Sequence, residues 1–135
     1  MNYSQASGIV AVTALVAMAN NGTIVFFSGT MPATPETALS GNTALATWTF
    51  SATAGGTVTV VSGSAQSTMS LVASTVTPSA SGTVTFARVY KSDGTTVIAD
   101  LTVGTTGTDI IVASTSISTV IPQALTPLYF SQPVV

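Results

Sequence analysis

Apolar residues recur at Ile9, Val12, Val16 and Ala19, with Leu15 beside them, inside ASGIVAVTALVAMA, Ala6 to Ala19. That spacing predicts a helix over residues 6–20, with Ser7 as N-cap. Asn20-Asn21-Gly22 ends it, because Asn and Gly accept the left-handed conformation at a helix C-terminus. A strand is the alternative, since Ile9-Val10 and Val12-Thr13 are β-branched. Beyond this point the period changes. Thr23 to Phe27 (TIVFF) is almost wholly apolar and reads as a buried strand. The loop TMPATPETALSGN follows, where Pro32 and Pro35 remove backbone donors and forbid a central strand. Within it, Thr34-Pro35-Glu36-Thr37 can open one helical turn.

From Thr43 onward, short β-rich runs alternate with Gly, Pro and Ser: ALATWTF, TVTVV, STMSLVASTV, TVTFARVYK, TTVIADLTV, TDIIVAS and SISTVI. They recur at spacings of about 8 to 15 residues, with no long helical pattern between them, so crossover helices for a parallel sheet are missing. The expected fold is all-β: an antiparallel β-sandwich, of jelly-roll type, with one short N-terminal helix. One domain, residues 1–135, suffices for this length.

Asp93-Gly94 between two such runs predicts a hairpin with a two-residue loop and positive φ at both positions. Strict alternation then pairs Ser92 with Thr95, Tyr90 with Val97, Arg88 with Ala99 and Phe86 with Leu101. Val84, Phe86, Arg88 and Tyr90 share a face with Val97, Ala99, Leu101 and Val103, which makes it the expected core face. Lys91, Asp93 and Asp100 fall at the turn or on the wetter face, where charge discourages edge pairing. Arg88 on the apolar face must snorkel or find a carboxylate, because an unpaired buried charge costs several kcal/mol. With Asp100 aimed the other way, the expected ion pair joins Arg88 to Glu36 or Asp109.

Composition sharpens the picture. Charged residues make up 4% of the chain, against about 25% in ordinary soluble domains. Thr (25) and Ser (17) together fill 42 of 135 positions, and hydroxyls keep strands wetted without strong repulsion between copies. The net charge of −2 leaves such a surface open to close packing against other protein. Two Lys+Arg cannot neutralise a run of phosphates, so neither nucleic acid nor an anionic membrane is an expected partner. The N-terminal apolar stretch has no positive charge before it and falls short of the roughly 20 residues a membrane span needs. It reads as a small buried helix.

Zero Cys and zero His remove thiol nucleophiles, imidazole bases and the usual zinc ligands. Serines lack a base to activate them, and neither Ser-x-x-Lys nor Gly-x-Ser-x-Gly occurs. GTTGTD, Gly104 to Asp109, has glycines but no following Lys or helical pattern, so it reads as a loop and not a phosphate cradle. Calcium could be considered at Asp93, Asp100 and Asp109, yet no loop gathers them. The expectation is therefore no catalytic residue, no cofactor and no metal. The Pro-punctuated end, residues 122–135, with prolines at 122, 127 and 133, carries Leu125, Leu128, Tyr129 and Phe130. It is either a last strand closing the sandwich or an arm docking those groups on a neighbour, which makes the four residues a candidate interface.

IVFFSGTMPATPETALSGNTALAT (Ile24 to Thr47) and FARVYKSDGTTVIADLTVGTTGTDIIV (Phe86 to Val112) together resemble a group of small structural proteins of tailed bacteriophages. The shared features are a strand, an SGT-x-P-x-x-P-x-T-A loop, a Leu-Ala-Thr-rich strand and an Arg-containing hairpin before a Val-Gly-Thr turn. The resemblance implies a capsid cement or decoration protein on the outside of the virion, binding the major capsid protein as a homo-oligomer. It carries no catalytic residues with it. A tail, fibre or baseplate module binding host-surface glycan is the alternative, and it requires an exposed aromatic platform at Trp48 or Tyr90. A carbohydrate-active enzyme would require two acids in one cleft, within about 10 Å.

Overall fold

The computed structural model describes residues 4–125 and 128–134. Helix α1 (Gln5–Met18) precedes twelve strands: β1 (Thr23–Phe27), β2 (Ala44–Gly55), β3 (Thr59–Val61), β4 (Ser64–Leu71), β5 (Thr75–Val76), β6 (Gly82–Thr83), β7 (Phe86–Tyr90), β8 (Val97–Gly104), β9 (Ile110–Ile111), β10 (Ser116–Ile117), β11 (Gln123–Ala124) and β12 (Tyr129–Pro133). The cap lies one turn earlier than expected, at Ser4 and not Ser7, and the helix starts one residue before the expected range 6–20. Ser4 is the cap, its hydroxyl accepting from the Ser7 N–H at 3.2 Å. The helix ends at Met18, two residues short of that range, and the Asn-Gly stop acts as expected, with Asn21 in the left-handed region at φ 58° and the Gly22 N–H donating to the Ala19 carbonyl.

The main sheet runs β12-β4-β2-β1-β7-β8-β9, with β3 also on β4. Its pairings are antiparallel except for the short parallel pair β8–β9. Two small antiparallel pairs, β6–β10 and β5–β11, lie beside it. The β-rich expectation thus holds. A jelly roll does not emerge from these pairings, because the main sheet is open and mixed. Only two residues of β9 run parallel, and the loop 105–109 brings them there without a crossover helix.

In β2 and β4 the alternation does what period two requires. Trp48, Phe50, Ala65, Ser67 and Met69 turn inward, while Thr47, Thr49, Thr68 and Ser70 face out. Gly55 lets α1 settle on this inner face, for a Cβ there would overlap the Val16 side chain. Ile24, Phe26, Trp48, Phe50, Val12 and Val89 form the main core, and Phe26 packs tilted on Trp48 with ring centroids 4.6 Å apart. Trp48 is fully buried, and its indole N–H donates to the Ser74 carbonyl at 3.1 Å.

The strand β1 explains its own apolar run. Ile24 and Phe26 enter the main core, whereas Val25 and Phe27 lie on the opposite face with Phe86 in a second, smaller cluster. That cluster is covered by the segment 28–43, which contributes Leu39.

Candidate functional site

The hairpin β7–β8 carries most of the charge, and its register decides what the charge does. Near the turn the expected pairing holds, with Tyr90 opposite Val97. The loop itself is longer than two residues. Lys91 donates its N–H to the Thr96 carbonyl at 2.9 Å, which leaves Ser92–Thr95 as the loop. Gly94 has φ 75°, but Asp93 keeps a negative φ. Its carboxylate instead accepts the Thr95 and Thr96 N–H groups, both at 2.8 Å, and the Thr96 hydroxyl. These bonds favour the ionised form and hold the Asp93 carboxyl at about 2.

Past Tyr90 the ladder slips by one. Val89 faces Ala99 and Arg88 faces Asp100, leaving Ile98 as the extra residue of a β-bulge. A one-residue slip moves every later side chain to the other face. Asp100 therefore joins Arg88, correcting the expected partners: the bond is to Asp100 and not to Glu36 or Asp109. Arg88 Nε donates to Asp100 Oδ1 at 2.6 Å and Nη2 to Oδ2 at 2.8 Å, a two-pronged pair. The two side chains are 3% and 5% exposed.

The slip also corrects the core face. Ala87 and Val89 point into the main core, while Phe86, Arg88 and Tyr90 lie under the segment 28–43. Arg88 Nη1 donates to the Thr37 carbonyl at 3.1 Å, so the guanidinium ties that segment to the sheet. Its bond to Asp100 raises the Arg88 pKa further, against the opposing effect of burial. Burial raises the Tyr90 phenol, with Arg88 pulling the other way. A guanidinium so engaged holds structure together and is not free to bind an anion.

Asp109 is exposed, and its Oδ2 accepts from the Thr102 N–H at 2.9 Å and the Thr102 hydroxyl at 3.1 Å. Glu36 stands exposed on the segment 28–43. Among the described residues, no three Cys, His, Asp or Glu side chains come together as a metal site would need.

The C-terminal residues divide. Leu125, Leu128 and Phe130 are buried in the chain's own core, and Phe130 meets Phe50 edge-on at 6.4 Å. Tyr129 alone of the four faces outward, 52% exposed. The strand β12 pairs with β4 from Tyr129↔Thr68 to Pro133↔Ser64, so this end closes the chain's own sheet and is not a free arm. Pro127 lies outside the described residues.

Away from the hairpin the surface is free of ions: outside Glu36 and the span Arg88–Asp109, the sequence has no charged residue. The helix α1 keeps Val12 and Val16 inside yet shows Val10 at 69% exposure, along with Ala11, Ala14, Ala17 and Met18. Val72, Val120, Ile121 and Ile111 are exposed as well. Comparison of the chain with protein-family models, with curated proteins and with solved structures finds no match.

Proposed function

We propose that this protein is a structural component of a tailed-bacteriophage virion, of the capsid cement or decoration type, sitting on the shell exterior and bridging major capsid subunits as a homo-oligomer. The observation that carries the reading is the helix α1, which has no charged residue in Gln5–Met18 and leaves Val10 and Met18 uncovered. A helix apolar all round belongs in an interior, and in a single chain α1 has an interior on one side only. A neighbour would supply the other.

The chain's ionic groups support the same reading, because Arg88, Asp100, Asp93 and Asp109 are each committed to bonds that hold the hairpin and its neighbours. The resemblance of Ile24–Thr47 and Phe86–Val112 to phage structural proteins gives the reading its particular form. The glycan-binding alternative loses Trp48 as a platform, since that ring is buried.

A cement protein acts by addition. A standard interface buries about 1,600 Å², and repetition around a shell multiplies modest contacts into firm retention. Particles assembled without this protein are expected to lose genome at lower temperature than complete ones, and to recover when it is added back. Identical heat resistance in both would remove the proposal.

A further inference from the structure

The segment 28–43 is a sixteen-residue connection between β1 and β2, longer than most loops in compact domains. Its base is knotted. The Ser28 N–H donates to the Thr43 carbonyl at 3.0 Å, and Asn42 Nδ2 donates to the Ser28 and Thr30 carbonyls at 2.9 and 3.0 Å. Thr85 adds its hydroxyl to the Gly29 carbonyl. Gly29 and Gly41, at φ 87° and 72°, mark the two ends of this base.

Beyond the base the attachment is thin. From Gly29 to Ser40 no residue is buried, and only Pro32, Pro35 and Leu39 are half-buried. Leu39 is the residue of this segment packed on Val25, Phe27 and Phe86. The Arg88 bond to the Thr37 carbonyl is the other tie. Between the tip and the hairpin lies a groove of about 510 Å³, walled by Pro35, Glu36 and Leu39 on one side and by Tyr90, Thr96 and Val97 on the other. The tip is not sealed against what it covers.

We propose that residues 30–40 form a displaceable strap, latched by Arg88 and Leu39, that lifts from the folded sheet and uncovers the apolar patch of Val25, Phe27 and Phe86. Few buried apolar contacts and solvent-facing backbone place a segment at the low end of local stability. The latch does not need to break the ion pair. Arg88 stays bonded to Asp100 while Thr37 departs, so opening leaves no buried charge without its partner. The patch keeps its shape in the opened state because Phe27 and Phe86 are stacked, 5.4 Å between centroids, on paired strands. The device is independent of the capsid reading, and either can fail alone.

Glu36 is the only glutamate of the chain, so a glutamyl-specific endopeptidase cuts the native full-length protein once, in the strap. A protease needs a stretch of lifted, extended chain, and the rate of cutting therefore reads strap opening. The expected result is slow cutting of the parent with a weak urea dependence, well below the slope of global unfolding. Leu39→Ala is expected to speed the cut about tenfold, and at least threefold, with the weak urea slope retained. The cut protein is expected to stay folded and to bind more anilinonaphthalene sulfonate than the uncut protein, whose exposed apolar side chains set the baseline. A smaller acceleration, a slope equal to that of global unfolding, or a cut chain that binds no more dye than the uncut one would overturn the proposal. Leu39→Met, which keeps an apolar side chain on the patch, is expected to be cut at about the parent rate, and a tenfold acceleration there as well would overturn the proposal.

Discussion

Replacing Asp100 by Ala tests the bulged hairpin directly. The substitution leaves the Arg88 guanidinium, 3% exposed, without its counter-ion and with two of its donors unmet. Removing one partner of a buried pair costs about 3–5 kcal/mol, far more than the pair is worth against apolar residues of similar volume. For 135 residues at about 2.1 cal/mol/K each, the unfolding entropy is about 0.28 kcal/mol/K, so the expected fall in Tm is about 11–18 °C. The double variant Arg88→Met with Asp100→Leu removes both charges and should recover most of that loss, because no ion is left to desolvate. Urea melts followed by Trp48 fluorescence, with parent, Arg88→Met, Asp100→Leu and the double variant, give the four corners of the cycle. Little effect of added salt is expected, since a buried pair is poorly screened. If Asp100→Ala costs under about 1 kcal/mol, the range of exposed pairs, Arg88 is not held as described and the bulge reasoning fails.

Other outcomes follow from the same geometry. Deleting Ile98 removes the bulge residue and gives an unbulged hairpin in which Val97, Ala99 and Asp100 still face Tyr90, Val89 and Arg88. Cooperative unfolding is expected to survive the deletion, loss of it in a urea melt would contradict the assigned register, and Ile98→Val should cost no more than about 1.5 kcal/mol. Asp93 should titrate near 2 by NMR; its folded value is depressed, so its stabilising effect is full above about pH 4, the unfolded value, and is lost as pH falls toward 2. A titration midpoint at the ordinary value would show that the Thr95 and Thr96 bonds are not formed. Gly55→Ala pushes a methyl into Val16, and overpacking of this kind costs about 1–3 kcal/mol, read as a lower urea midpoint with loosened helix signal in circular dichroism.

Much of the fold is legible in the chain. TIVFF gives β1 to the residue, and Asn21-Gly22 marks the stop of α1. What escapes is the bulge, because nothing between Thr96 and Asp100 announces an extra residue; there is no glycine or proline there. The signal was nevertheless present. An arginine on an apolar face, with an aspartate one register step from facing it, is resolved by a slip of one residue. Missing the slip misplaced the core face and the ion pair together. The apolar run of β1 similarly implied cover on both faces, but only the fold reveals that the Pro-rich loop supplies the second cover. At the C-terminus, Leu128 and Phe130 alternate with Tyr129 and Ser131, a period of two that marks a half-buried strand more than an arm.

The central claim is that this ion-poor surface is covered by other protein in an assembled shell. Imaging intact particles at residue resolution tests it most directly. The account predicts the hairpin and sheet of this chain on the capsid exterior, at seams between shell subunits, with α1 buried against a neighbour. Particles whose shells lack it, with the chain free in solution as a monomer, would contradict the claim.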